Sequence, residues 1–598
     1  MLRRSAYALL AISLCAHAAV RKIYVEERTD VLNGRAFGAA GAYERIVAKA
    51  HFAVDPNLAV NRRIRDIALA PKNSEGLVEF TADLYVLKPR QPDKGNGTLL
   101  YEVANRGGKS LLTTFNYGSG SRDPRTEEEF GDRFLLEQGY TLVWVGWQFD
   151  IPEAKGSVGI QVPRAMGITG LVRSEYVPQT KGTRMPLADR GMKPYAAADT
   201  NAPGTQLLVR DTPEGPRRAI PRAQWTFVGD SEVELAAGFL PGKFYEVIYT
   251  AKDPEIAGLG MAATRDIVSF LKYTNDGLIL LGDQNRYLKQ AIAFGSSQSG
   301  RFLRNFLYDG FNADEKGKRV FDAVWPHVAG GGRGSFNLRF AQPSRTSGRM
   351  SGAYYPVDIF PFADLRMMDP ETKDADGLLV AAGDENVTPK IFYTNGSHEY
   401  WGRAASLIHT SVDGKKDDGL AGTSRVYYLA GTEHGTGTFP PRKTDTAYLR
   451  NPSDARPVMR ALLLHLTAWV KEDKAPPASR YPRIDKGELV PLSNLHFPAI
   501  PGVALPKAMH TGWRVDYGPA FRDKGITTLE PPKVGKPFAA MAPQVDRDGN
   551  DISGVRMPDI LVPLGTYAGW NLRAATIGAP DELYSLAGAF HPFAATKE

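Results

Sequence analysis

Cysteine is nearly absent from this chain, since Cys15 is its only one in 598 residues. A lone thiol closes no internal disulfide, and Cys15 falls in a segment expected to be removed. Neither a thiolate nucleophile nor a cysteine metal site is therefore expected in the working protein. The N-terminal apolar run Ala6 to Leu14 is too short to span a bilayer. No His-Glu-x-x-His pattern is present, and the run Gly330-Gly331-Gly332-Arg333-Gly334 lacks the Lys-Ser/Thr ending of a phosphate loop. One-sided charge is missing too: 73 Lys and Arg are interleaved with 66 Asp and Glu, leaving +7. With no basic tract, this reads as a mildly basic solvated surface and not as a nucleic-acid partner. The segment Asp546-Arg547-Asp548-Gly549-Asn550-Asp551 opens like a calcium loop, but its sixth position is Asp551 instead of Gly and its twelfth is Met557 instead of Glu. It reads as a surface hairpin turn. No metal and no cofactor are expected.

What is present begins with Arg3 and Arg4, the apolar run, and small residues at Ala16, Ala18 and Ala19. That tripartite pattern predicts a leader over residues 1–19, cleaved before Val20, and an extracytoplasmic protein, periplasmic or secreted. Leu14 is larger than the residue that normally precedes a lipid-acylated cysteine, so no stable membrane insertion is expected.

A hydrophobic content of 43% beside 23% charged residues describes a soluble globular chain with a sizeable core. Apolar β-type runs at Val78–Leu87 and Thr98–Val103, a helical stretch Glu127–Gln138 and a buried run Thr141–Val145 alternate as a parallel sheet flanked by helices requires. Between residues 157 and 250 Pro, Gly and Arg are frequent and no long helical period appears, which predicts an inserted β-rich or loop-rich cap. The alternation then resumes, with a helix at Gly258–Leu271, strands at Ala291–Phe294, Lys390–Thr394 and Arg425–Ala430, and helices at Arg301–Tyr308 and Pro457–Lys471. From residue 475 onward Pro and Gly punctuate short segments. The expected organisation is an α/β core over 20–156 and 251–474, a cap over 157–250 and a C-terminal extension over 475–598.

The sequence Ala291-Ile292-Ala293-Phe294-Gly295-Ser296-Ser297-Gln298-Ser299-Gly300-Arg301 is a strand, a turn of small residues and a helix start. This is the setting of a nucleophile elbow and predicts the α/β-hydrolase fold. Three serines compete, and sterics choose Ser297, whose neighbours at −2, +2 and +3 are Gly295, Ser299 and Gly300. Ser299 would place Arg301 at +2, and Ser296 would place Phe294 at −2. The strict Gly-x-Ser-x-Gly pattern is broken by Ser299, and the variant Gly-x-Ser-x-x-Gly resembles elbows of several hydrolase branches, glucuronoyl esterases among them.

A serine hydroxyl needs a base and an orienting acid, which in this fold follow in the order Ser, acid, His. Eight histidines follow Ser297. His434 lies in the glycine-flanked loop Gly431-Thr432-Glu433-His434-Gly435 beyond a strand end and is the preferred base, with His327, which also follows a strand, as its rival. Glu399, just past the strand Lys390–Thr394, is the candidate acid. For an oxyanion hole, the N–H of Gln298 and the loop Arg106-Gly107-Gly108 after the strand Leu99–Val103 are the candidates.

The chain resembles a poorly characterised bacterial family of secreted α/β-hydrolase-domain proteins. The resemblance rests on Ser297–Arg304, on Gly334–Pro343, on Glu399-Tyr400-Trp401 and on Val562–Arg573, with Ser296 standing where larger residues are familiar. It spans nearly the whole mature chain, so the extension is expected to be integral. It implies the fold and a Ser, Glu, His triad, and little about substrate. The expectation is a secreted serine hydrolase cleaving a carboxylic ester, small or polymeric, through an acyl-enzyme on Ser297. A peptidase or amidase on the same fold, or a non-catalytic binding protein on a decayed hydrolase scaffold, is the alternative. The residues do not set an oligomeric state.

Overall fold

The computed structural model describes residues 19–274 and 287–594. Cys15 and all but the last residue of the expected leader lie outside the described residues.

Nine strands build the central sheet: β1 (Val20–Asp30), β2 (Tyr43–Val54), β3 (Val78–Pro89), β4 (Thr98–Glu102), β5 (Thr141–Val145), β6 (Gln290–Ser296), β7 (Ala323–His327), β8 (Lys390–Gly396) and β9 (Ser424–Leu429). A short tenth strand, Ile160–Gln161, pairs with β3. Their order across the sheet is β1-β2-β3-β5-β4-β6-β7-β8-β9. Pairing is antiparallel from β1 to β5 and parallel from β5 through β9. The parallel half carries continuous apolar runs because helices and loops cover both its faces. β5 and β4 are buried at every position. This mainly parallel sheet with flanking helices is the α/β-hydrolase fold.

Neighbouring strands lock at one level through aromatic side chains. Phe294 on β6 meets Trp325 on β7 edge-on at 5.5 Å, and Trp325 meets Phe392 on β8 at 5.9 Å. Each such pair contributes ~0.5–1.5 kcal/mol beyond the area it buries. The layer fixes the strand ends that carry the site.

Four helices matter here: α1 (Leu259–Tyr273), α2 (Gln298–Tyr308), α3 (Ser397–Gly402) and α4 (Arg456–Glu472). α4 buries Met459, Leu462, Leu463, Leu466 and Trp469, the spacing of one helical face, and opens with Pro457, where a missing N–H costs nothing. The stretch Glu127–Gln138 departs from the expected single helix. It forms two short helices, Glu127–Phe130 and Phe134–Glu137, because Gly131 between them sits at φ 59, where a Cβ would come 2.1 Å from the Asn116 carbonyl oxygen, and Arg133 is left-handed at φ 65.

Residues 169–252 form two antiparallel sheets, one of four strands and one of three. They share a core of their own that includes Val172, Met185, Trp225, Phe239 and Val247, joined by Phe340. The residues after 475 continue the central sheet at its last edge. Arg480 and Val555 both bridge to β9 in parallel, with Tyr428 N–H donating to Arg480 O at 2.8 Å and Val555 N–H to Tyr428 O at 2.7 Å. An edge strand left bare would invite pairing with another chain, and these segments cover it.

Candidate active site

Ser297 sits at the turn between β6 and α2. Ser296 still belongs to the strand, while Ser297 takes φ 61 and ψ −116, a backbone conformation that L residues avoid. The turn lifts the hydroxyl off the strand end as the chain reverses into the helix. It works only where strand and helix nearly touch. A Cβ on Gly295 would come 2.4 Å from the Ser299 carbonyl oxygen, and one on Gly300 would come 2.9 Å from that of Gly295. Ser299, in the first helical turn, is wholly enclosed.

His434 follows β9, and its Nε2 lies 2.9 Å from Ser297 Oγ. Its Nδ1 lies 2.6 Å from Glu399 Oε1. Glu399 is in the first turn of α3, which starts where β8 ends, and its other oxygen accepts the Gly396 N–H at 2.8 Å. The Glu399 side chain is fully buried and that of His434 is 11% exposed. Burial raises the Glu399 carboxyl above its ordinary value. Burial, and after it the positive field of Arg403, Arg301, Arg190 and Arg106, pushes the His434 imidazole well below its ordinary value. This favours the neutral imidazole, and with Nδ1 facing a carboxylate that can only accept, Nε2 is the nitrogen left to face the serine hydroxyl.

The rival, His327, is occupied differently. Its Nδ1 pairs with Thr394 Oγ1 at 2.9 Å, its ring stacks on Phe294, and burial pushes it down to about 4. Its carbonyl accepts the Ser297 N–H at 2.8 Å, so its contribution to the turn is through the backbone.

Of the candidate oxyanion residues, Gln298 opens α2 with its side chain tied to Gln148 Oε1 and the Pro343 carbonyl, both at 3.0 Å. The loop of Arg106 and Gly107 lies against the elbow, because Asn105 Nδ2 donates to the Ser296 carbonyl at 3.1 Å. Both residues have positive φ, 50 and 76. Arg106 reaches on to the Ser344 carbonyl at 2.9 Å.

The C-terminal segments hold the loops of Glu399 and His434 in place. Asp551 accepts the Gly431 N–H at 2.7 Å and the Tyr428 hydroxyl at 2.6 Å, and burial pushes its carboxyl up to about 6. This corrects the expectation of a plain surface turn over 546–551. Asp546 caps its own turn through the Asp548 and Asn550 N–H groups, but Asp551 is drawn under the end of β9. His398, beside Glu399, donates to the Gly569 carbonyl at 3.0 Å and accepts from the Leu586 N–H at 3.2 Å. His510 reaches Asp358 at 2.6 Å and Ser347 at 3.3 Å.

Sequence reasoning missed Arg190, Arg301 and Arg403 as parts of this environment. The structure shows why Arg301 matters: it lies in a helix buried continuously from Gln298 to Leu307, where a charge is out of place. A separate cavity of about 560 Å³, lined by Asn305, Tyr308, Arg333, Trp513, Arg514 and Phe538, opens at the far end of α2. Asn305 stands eight residues beyond Ser297, roughly 12 Å along the helix, so this cavity is not the serine's own pocket.

A family profile described as an alpha/beta hydrolase domain matches residues 219–597, more than half of the chain. No curated protein matches it. Among solved structures, the glucuronoyl esterase from Solibacter usitatus is similar over 63% of this chain and 67% of that one, at 11% identity and a TM-score of 0.22. A likeness so slight bears on neither mechanism nor substrate. The chain belongs to the alpha/beta hydrolase domain family.

Proposed function

We propose that this alpha/beta hydrolase is a carboxylic ester hydrolase working through an acyl-enzyme on Ser297. The observation that carries the reading is the continuous chain of short contacts from Glu399 through His434 to Ser297, 2.6 and 2.9 Å, set on a strained turn. Ser297 Oγ attacks the ester carbonyl as His434 Nε2 takes its proton. Glu399 holds the imidazole tautomer and balances the imidazolium that forms. The tetrahedral oxyanion is met by the Gln298 N–H and the loop of Arg106 and Gly107. His434 then returns the proton to the departing alcohol, and water activated by the same histidine releases the acid.

On this reading residues 1–19 are removed and the enzyme acts outside the cytoplasm. Residues 157–250 serve as a cap that selects the ester, whether small or polymeric, and residues 475–598 buttress the acid and base loops. An ester is favoured over an amide because its alcohol leaves more readily than an amine. The test is turnover of 4-nitrophenyl acyl esters against peptide anilides by the full chain. Esters should turn over, and Ser297→Ala should abolish it. Cleavage of anilides alone would overturn the ester assignment, and undiminished turnover by Ser297→Ala would overturn the mechanism.

A further inference from the structure

We propose that the ester is anionic, bearing a carboxylate that seats against Arg301 with Arg403 and Arg106 flanking it. This rests on the ester-hydrolase reading and names the substrate class of that site.

Arg301 lies one helical turn beyond Ser297, its N–H donating to the Ser297 carbonyl at 3.0 Å. The residue is 2% exposed, and its Nε and Nη2 are enclosed without a hydrogen-bond partner. Among the described residues no carboxylate reaches ion-pairing distance of it. Arg403 and Arg106 are also buried or nearly so and are held by neutral groups alone. Arg403 Nη1 donates to the Ser347 carbonyl, and Arg106 donates to Asn105 Oδ1 and the Ser344 carbonyl, both at 2.9 Å, while its Nε has no partner. An unpaired guanidinium out of water is costly, and an opposite charge brought to it removes that cost.

Most of the carboxylates near these arginines are already engaged. Glu399 is bonded to His434 and Asp358 to His510, each at 2.6 Å. Asp189 is only loosely paired, its Oδ2 lying 3.5 Å from the half-exposed Arg190 without a hydrogen bond, and it touches none of the three arginines. Asp150 accepts from Gln148 at 2.6 Å and is pushed by burial up to about 6. Asp358 acts on Arg301 from beyond contact, with its own charge committed to His510. The arginines come from separate parts of the chain: the loop after β4, the start of α2 and the end of α3. The charge of each is felt at His434, whose basicity burial and then this field depress. A carboxylate seated among them would offset that field and strengthen His434 as a base when substrate is bound. The planar fork of a guanidinium matches a carboxylate in geometry as well as charge.

The test compares two substrates that differ in one charge, mono-4-nitrophenyl glutarate and the same ester with its free carboxyl methylated, using the full chain. Wild type should favour the anion in kcat/KM by about 10- to 100-fold. Arg301→Met should collapse that ratio to within about threefold, and Arg301→Lys should keep part of it. No preference in wild type, or an unchanged preference in Arg301→Met, overturns the proposal. If Arg301→Met does not fold, wild type decides: glutarate should slow fluorophosphonate labelling of Ser297 and the uncharged diamide should not, and equal action overturns the proposal. If neither ester is turned over and Ser297 is not labelled, the ester-hydrolase reading has failed on its own. The anion site is then judged by calorimetric binding of glutarate, which should be measurable in wild type and lost in Arg301→Met, and absence of binding overturns it.

Discussion

Two groups of buried arginines in this protein meet their charge in different ways. In the antiparallel layer of residues 169–252, Arg173 donates to Glu246 and to Glu530 at 2.8 Å each, and Arg210 donates to Glu175 at 2.8 Å. Arg217 closes the group on Glu246 at 2.6 Å. Although burial alone would raise it, the Glu246 carboxyl is held below its ordinary value by Arg173, Arg210 and Arg217. At the Ser297 site, Arg301 has no partner and Arg106 and Arg403 have only neutral ones. The first region supplies its own counter-charges and joins the layer to the C-terminal extension through Glu530. The second leaves the counter-charge to be brought. Burial of an arginine therefore does not by itself distinguish a structural group from a binding group, and neither does the lack of a carboxylate, since Arg304 is wholly buried on the carbonyls of Gly331, Gly332 and Phe362; what sets Arg301 apart is a guanidinium whose Nε and Nη2 have no partner and which no backbone carbonyl holds.

The largest effect that sharpens this contrast is chemical. Ser297→Ala or His434→Gln should lower kcat/KM for a nitrophenyl ester by about 10⁴-fold or more while leaving the melting temperature nearly unchanged. His327→Gln should cost less than about tenfold, since its ring is bonded to Thr394. A loss at His327 equal to that at His434 would exchange their roles.

Next comes stability. Glu246→Gln should destabilise the fold by about 3–5 kcal/mol in denaturant titration, because it strands buried guanidinium groups. Arg301→Met should do the reverse, raising stability by about 1–2 kcal/mol, since it removes a buried charge that the protein does not balance. A loss of stability in Arg301→Met comparable to that of Glu246→Gln would erase the distinction between the two regions.

The smallest effect is a displacement of pH dependence. His434 must be neutral to accept the serine proton, and its imidazole lies well below the ordinary 6.5 through burial and then the arginine field. The rising limb of kcat/KM should accordingly lie below pH 6.5, and the enzyme should stay active as pH falls through that value. A limb at or above pH 6.5 would contradict the field described here.

The elbow is legible in sequence because its determinants are local. Gly295 and Gly300 sit within three residues of Ser297, and their contacts follow from any strand that turns at once into a helix. Glu399 and His434 are legible because both lie at ends of strands, and a parallel sheet gathers such ends on one side. Arg106 is legible only as part of the loop after β4, and Arg190, Arg301 and Arg403 are not legible, since the meeting of these side chains depends on how distant segments cross, and no spacing along the chain encodes it. Asp551 fails for a related reason: a run of acidic residues with a glycine reads as a turn, and only the position of β9 shows that one of its carboxylates is drawn inward to hold the His434 loop. Gly131 shows the limit of composition, because the helical pattern of 127–138 continues across a residue whose backbone contact forbids it.

The central claim is that Ser297, and neither adjacent serine, carries the chemistry. Mass spectrometry of the folded chain after brief exposure to a fluorophosphonate tests it most directly. One adduct should form, on the Ser297 hydroxyl, and it should vanish in His434→Gln. An adduct on Ser296 or Ser299, or none in protein that melts cooperatively, would contradict the account.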